Sequence, residues 1–133
     1  MDAPKAIFID VDGTLLSHKT KQVPKSAIDA LQYAHEKGAL LFIATGRHKK
    51  ELARIICIDD LPMDGFVTMN GGCCYVGDEV IFKKPLHPET IACTVERMVC
   101  NPFPCMFCEE DEMYINMIDE LKSLDELKSI IKG

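Results

Sequence analysis

Apolar and polar positions along this chain fall into blocks with sharp ends. Ala6-Ile7-Phe8-Ile9 is a short apolar run that stops at Asp10-Val11-Asp12-Gly13-Thr14. Ala39-Leu40-Leu41-Phe42-Ile43-Ala44 is a second run, and it stops at Thr45-Gly46-Arg47. Runs of this length and Ile, Leu and Phe content read as strands buried on both faces of a parallel sheet. Between them lies a polar loop over residues 17–23. Pro24 then suits a helix start, and Ala27, Ile28, Leu31 and Ala34 recur at helical spacing as far as Gly38, a C-terminal stop. Strand, helix and strand form a right-handed crossover, so the two strands are expected to be parallel neighbours. Their polar ends then meet at one edge of the sheet, where open α/β sheets bind ligands.

Residues 49–58 predict a second helix, with Leu52, Ile55 and Ile56 on one face. The acidic, turn-rich connection from Asp59 to Gly65 reads as a solvated loop. Phe66-Val67-Thr68-Met69 predicts a third short strand that ends at Asn70-Gly71-Gly72. Cys74-Tyr75-Val76 and Val80-Ile81-Phe82 flank Gly77-Asp78-Glu79 as a hairpin. Beyond Lys83-Lys84-Pro85 the pattern changes. A helix runs from His87-Pro88-Glu89-Thr90 to Cys100, and a second hairpin covers residues 106–109 and 113–117. An amphipathic helix follows over residues 119–132, striped with Leu121, Leu124, Leu127, Ile130 and Ile131. The fold class is α/β: a Rossmann-like parallel sheet over residues 1–84, then a smaller, partial α+β unit over residues 85–133.

Composition narrows the partners. The net charge of -6 among 133 residues argues against nucleic acid, whose phosphates need a Lys/Arg footprint. No apolar stretch reaches the roughly 20 residues of a membrane span, and the residues before the first strand lead to the expectation of no cleavable leader. The cytoplasm is the expected location. Seven cysteines are an odd number for internal pairing and read as reduced, mostly buried thiols. Cys93, Cys100, Cys105 and Cys108 offer a zinc set on paper, but seven-residue helical spacing and a strand-like Cys105-Met106-Phe107-Cys108 make ordinary packing the stronger reading.

The first strand end carries the chemistry. Asp10 and Asp12 are two residues apart, so both side chains can serve one pocket, one as nucleophile and the other as general acid and base. Two acids at a sheet edge cost desolvation energy that a divalent cation offsets. Gly13 lets backbone N–H groups approach an anion, with the Thr14 hydroxyl beside it. Thr45 adds a hydroxyl and Gly46 a backbone N–H, while Asn70 is either a further donor or, with Gly71, simply a turn. Arg47 either orients this phosphate loop or makes a surface ion pair. His48 and His87 have no partner in sequence and are expected to be solvated.

The ordered set Asp10-Val11-Asp12-Gly13-Thr14-Leu15, Ala44-Thr45-Gly46-Arg47 and Met69-Asn70-Gly71 resembles the haloacid dehalogenase superfamily. Its spacing is similar to the Cof-like, type IIB branch, whose cap follows the third strand. The resemblance covers about the first eighty residues. It implies that Asp10 is a nucleophile forming an aspartyl-phosphate, that Asp12 is the acid/base, and that Thr45 holds the phosphoryl group. It also implies Mg²⁺ bound by the Asp10 carboxylate and the Asp12 backbone carbonyl, a small phosphorylated metabolite as substrate, and an α/β cap that begins near Leu86. Two later family motifs are missing: a lysine that steadies the nucleophile and a Gly-Asp loop that completes the Mg²⁺ ligands. The chain is therefore expected to stop inside the cap. The reading favoured is a Mg²⁺-dependent phosphatase of small phosphate esters. Its alternative is a catalytically impaired, truncated homologue that binds phosphate or metal, completed as a homo-oligomer through the C-terminal helix.

Overall fold

Parallel strands β1 (Ala6–Ile9) and β2 (Leu40–Ala44) are joined through helix α1 (Lys25–Glu36), with Ile9 level with Ile43. The computed structural model describes residues 5–55, 58 and 60–116. β2 pairs on its other side with β3 (Gly65–Thr68), again in parallel. The sheet then continues antiparallel through β4 (Cys73–Val76) and β5 (Glu79–Lys83), in the order β1-β2-β3-β4-β5. This is the expected α/β architecture with a parallel half. Pro24 stands as the extended cap of α1, and its carbonyl accepts the Ala27 and Ile28 N–H groups. Gly38 leaves the helix at φ +88°, a turn that an L side chain resists.

Chain contacts divide the molecule into two units, Met1–Pro85 and Leu86–Gly133. In the first, one face of the sheet carries the core. Ile43 packs there with Val11, Leu15, Leu16, Val23, Leu52, Ile55, Ile58 and Leu61, and α1 adds Ala27, Ile28 and Leu31. Odd-numbered positions of β2 point into this face, which is why Leu41 and Ile43 are fully buried.

Burial of β1 on both faces is not observed. Ala6, Ile7 and Phe8 are exposed, and Phe8 keeps 60% of its surface open while stacking on Phe42 at 4.9 Å. The reason is position: β1 is the edge of the five-stranded sheet, and the face bearing Phe8 lies opposite the core cluster.

Three other expectations change. The second helix is shorter than residues 49–58: α2 is Lys49–Leu52, and Ala53 caps it. His48 is not solvated but 2% exposed. It caps α2 reciprocally, with its Nδ1 accepting the Lys50 N–H at 3.1 Å while Glu51 Oε2 accepts the His48 N–H at 2.8 Å. The acidic connection is not wholly a solvated loop either. Asp64 Oδ2 accepts the Leu41 N–H at 2.7 Å, and its backbone N–H donates to the Leu41 carbonyl at 2.8 Å, tying the entry of β3 to the start of β2.

The second unit has helix α3 (Pro88–Cys100), capped by His87, whose Nδ1 accepts the Glu89 N–H at 3.4 Å. It also has an antiparallel hairpin of β6 (Met106–Cys108) and β7 (Met113–Ile115). Asn116 closes that hairpin: its Oδ1 accepts the Cys105 N–H and its Nδ2 donates to the Phe103 carbonyl. The amphipathic helix expected over residues 119–132 lies outside the described residues. No helix among the described residues is long and apolar enough to cross a membrane.

Gly65 shows how closely the sheet is packed, since a Cβ there would meet the Tyr75 carbonyl oxygen and the Phe42 ring. Gly65→Ala should destabilise the fold by about 1–3 kcal/mol through overpacking. Ile43→Ala, which empties a fully buried position, should cost about 2–5 kcal/mol. Urea unfolding of the two variants against wild type reads both.

Candidate active site

β1 and β2 run in parallel with Ile9 beside Ile43, so the residues that follow them emerge at the same edge. β3 brings a third chain segment there, with Val67 beside Ala44. The result is an open pocket of about 300 Å³ lined by Asp10, Ala44, Thr45, Gly46, Val67, Asn70 and Gly71. Four residues singled out from the sequence thus share one concavity: Asp10, Thr45, Gly46 and Asn70.

The loop after β1 turns tightly on itself. The Val11 carbonyl accepts the Thr14 and Leu16 N–H groups, the Asp10 carbonyl accepts that of Leu15, and Val11 is fully buried as the loop's anchor. This leaves the Asp10 side chain exposed at the pocket, where the Thr14 hydroxyl donates to its Oδ2 at 3.3 Å. Thr14 therefore touches the Asp10 carboxylate and is not among the lining residues. Gly13 has φ +83°, and its N–H is engaged with the Leu16 carbonyl at 3.0 Å. A Cβ at Gly13 would run into the His18 imidazole, so the glycine also makes room for that ring.

Thr45 is 6% exposed. Its N–H donates to the Val67 carbonyl at 2.8 Å, and its hydroxyl oxygen accepts the Arg47 N–H at 3.1 Å. That use of the acceptor side leaves the hydroxyl's own proton for an oxygen in the pocket. The loop after β3 is held by two matching bonds: the Asn70 N–H donates to the Thr45 carbonyl and the Met69 N–H to the Arg47 carbonyl, both at 3.1 Å. In return the backbone accepts strain. Met69 (φ 51°) and Asn70 (φ 54°) both take the left-handed conformation ahead of Gly71 (φ 89°). Such conformations cost about 1–3 kcal/mol each outside glycine and concentrate at functional sites. Gly46 completes the fit, because a Cβ there would stand 3.1 Å from Asn70 Oδ1.

Asp12 is placed differently from Asp10. It does not line the pocket. Instead Arg47 takes both of its carboxylate oxygens, with Nε donating to Oδ2 at 2.8 Å and Nη2 to Oδ1 at 2.6 Å. This two-point fork is the strong geometry for a guanidinium and a carboxylate. The hydrogen bond that Arg47 donates to Asp12, with the charges of Asp12 and Glu51 behind it, raises the pKa of the Arg47 guanidinium above its ordinary value against the opposing effect of partial burial. The sequence offered the surface ion pair as one option for Arg47; the partner it could not name was Asp12, which is 35 residues away. Opposite charges at the ends of adjacent parallel strands were the only available signal.

The donors present suit a magnesium ion held mainly by water and substrate. Mg²⁺ prefers hard oxygen, keeps several waters, and is usually bound by one or two carboxylates plus substrate phosphate. Asp10 offers such an oxygen at the pocket. Among the described residues no three His, Cys, Asp or Glu side chains gather as a preformed metal set, so an all-protein cage is not what these residues make.

Comparison with known proteins places the fold in a family. The family model described as haloacid dehalogenase-like hydrolase matches residues 7–132. YkrA of Bacillus subtilis (strain 168), named as a candidate phosphatase, is 29% identical over 126 residues, which is 95% of this chain and 48% of YkrA. The crystal structure of a hypothetical protein from Geobacillus kaustophilus HTA426 superposes with a TM-score of 0.83 at 30% identity, over 96% of this chain and 49% of that one. The sugar phosphatase BT4131, of haloacid dehalogenase subclass IIB, superposes with a TM-score of 0.70 at 37% identity, over 93% of this chain and 49% of that one. The chain thus spans about half the length of the relatives it matches. With a family model covering almost all of its residues and a subclass IIB sugar phosphatase among the structures that share its fold, the chain belongs to the haloacid dehalogenase-like hydrolases.

Proposed function

We propose that this chain carries the nucleophilic part of a Mg²⁺-dependent phosphatase acting on small, sugar-phosphate-like esters. One observation carries the reading: the Asp10 carboxylate shares its pocket with Thr45, Gly46 and Asn70, so a nucleophile and phosphate-oxygen donors converge from three strand ends. The similarity to the sugar phosphatase BT4131 supports the substrate class. The Asp10 carboxylate oxygen attacks phosphorus, the ester P–O bond breaks, and the departing alcohol oxygen takes a proton from Asp12. Water then attacks the phosphorus of the aspartyl-phosphate and gives its proton to the Asp12 carboxylate, while the P–O bond to Asp10 breaks to return the Asp10 carboxylate and release inorganic phosphate.

The residues that would hold Mg²⁺ are Asp10 through its carboxylate and Asp12 through its backbone carbonyl. When bound, the ion neutralises the repulsion between an anionic nucleophile and an anionic substrate. Thr45 and the Gly46 N–H bind the phosphoryl oxygens in this scheme, with Asn70 beside them. Thr14 keeps the Asp10 carboxylate turned toward the pocket through its hydroxyl. Of the six described cysteines Cys73 is buried, Cys74 and Cys105 are half-buried, and Cys93, Cys100 and Cys108 are exposed, so the expected burial of most thiols is not observed. By resemblance, the second unit, Leu86–Gly133, corresponds to the beginning of the family's cap.

Hydrolysis of p-nitrophenyl phosphate and of a panel of hexose phosphates tests the reading. Asp10→Asn should lower turnover by at least about a thousandfold, as loss of a nucleophile does. Chelation of Mg²⁺ with EDTA should abolish turnover, and adding the ion back should restore it. Turnover that survives Asp10→Asn would refute the assignment. In the same assay Thr45→Val should lower kcat/KM by about 10²-fold or more, the usual cost of removing one donor to a transferring group.

A further inference from the structure

Asp12 is assigned the proton transfers, yet in this structure it stands outside the pocket with both oxygens on Arg47. A carboxylate with both oxygens taken by a guanidinium fork has neither turned toward the pocket for a leaving group. The grip is not a loose surface contact. Arg47 is fixed by its own backbone: its N–H is bonded to the Thr45 hydroxyl and its carbonyl receives the Met69 N–H. Its side chain retains about a third of its exposure (30%) and that of Asp12 about half (46%), so the pair is accessible to a competing anion from solvent. Residues on either side of the pair wall the pocket: Gly46 and Thr45 precede Arg47, and Asp10 lies two residues before Asp12.

We infer that Arg47 is a positioning residue that latches Asp12 and exchanges it for a phosphoryl oxygen when a phosphate-bearing ligand enters. The exchange conserves the fork's partner chemistry, because carboxylate and phosphate both accept two parallel N–H bonds from one guanidinium. It also couples two events that the proposed reaction needs together. A bound phosphate gains a cation, and the Asp12 carboxylate is released to reach the ester oxygen only when there is an ester to protonate. The arrangement rests on the phosphatase reading for its purpose, but the competition itself can be measured without turnover.

The test is a two-residue cycle read by calorimetric titration with inorganic phosphate. Asp12→Asn, which gives up the fork, should tighten phosphate binding at least about threefold in the wild-type background. The same change in an Arg47→Gln background should leave phosphate affinity nearly unchanged, because no guanidinium remains to be released. Arg47→Gln alone should weaken phosphate binding about tenfold, and Arg47→Lys should recover most of that loss as a point charge. Cooperative thermal unfolding of each variant establishes that it is folded; should Arg47→Gln fail to fold, Arg47→Lys serves as the background, where the effect of Asp12→Asn should fall well below its wild-type size.

Equal tightening by Asp12→Asn in both backgrounds would mean simple removal of a negative charge and would overturn the exchange. Absence of phosphate binding in every variant would overturn it too. A surviving cycle together with turnover indifferent to Asp10→Asn would leave the latch in place and remove only the catalytic reading.

Discussion

β2 is held by hydrogen bonds on both flanks, parallel to β1 on one side and to β3 on the other, and the site depends on that double pairing. Register decides what meets. Ile9 is level with Ile43 and Ala44 with Val67, so the chain leaves three neighbouring strands within a residue or two of the same line. A slip of one residue in either pairing would turn Leu41 and Ile43 off the core face. Their complete burial therefore fixes the register that also brings Asp10, Thr45 and Asn70 into one pocket. Packing on one face of the sheet and chemistry at its edge are consequences of the same alignment.

The edge is then made rigid by short polar ties. Thr45 and Arg47 offer backbone carbonyls to Asn70 and Met69, and the strain of two consecutive left-handed residues is balanced by those bonds. The two acids after β1 are separated by their partners. Asp10 faces the pocket with the Thr14 hydroxyl donating to its carboxylate, whereas Asp12 answers the charge of Arg47 at hydrogen-bond distance. Two carboxylates close in sequence thereby occupy different electrostatic surroundings, the usual way for similar groups to take different chemical tasks.

Much of this was legible because local patterns and global fold agree. The blocks 6–9 and 39–44, the helical spacing from Ala27 to Ala34 and the Gly38 stop lie close to the elements observed. Thr45 stood out because a polar residue directly after an apolar run sits at the sheet edge, whereas Asn70-Gly71 read equally as a turn until the structure brought Asn70 into the pocket. Where reading failed, the deciding partner was distant in sequence. Phe8 resembles any buried strand residue, and its exposure follows from β1 being an edge. His48 resembles a surface histidine until Glu51 and Lys50 fold back on it as a reciprocal cap. Asp64 resembles a loop acid until β2 presents the Leu41 N–H to it.

The sequence by itself determined the α/β class, the order of the strands along the chain, and the residue types available at each strand end. Hydrophobic run length, glycine stops and the adjacency of Asp10, Asp12 and Gly13 are local properties, and they need no knowledge of what lies across the sheet. Only the tertiary structure decided how those residue types divide among themselves. It put Asp10 in the pocket and gave Asp12 to Arg47, because charge pairing depends on distance in space and the guanidinium of residue 47 reaches residue 12 only once β1 and β2 lie side by side.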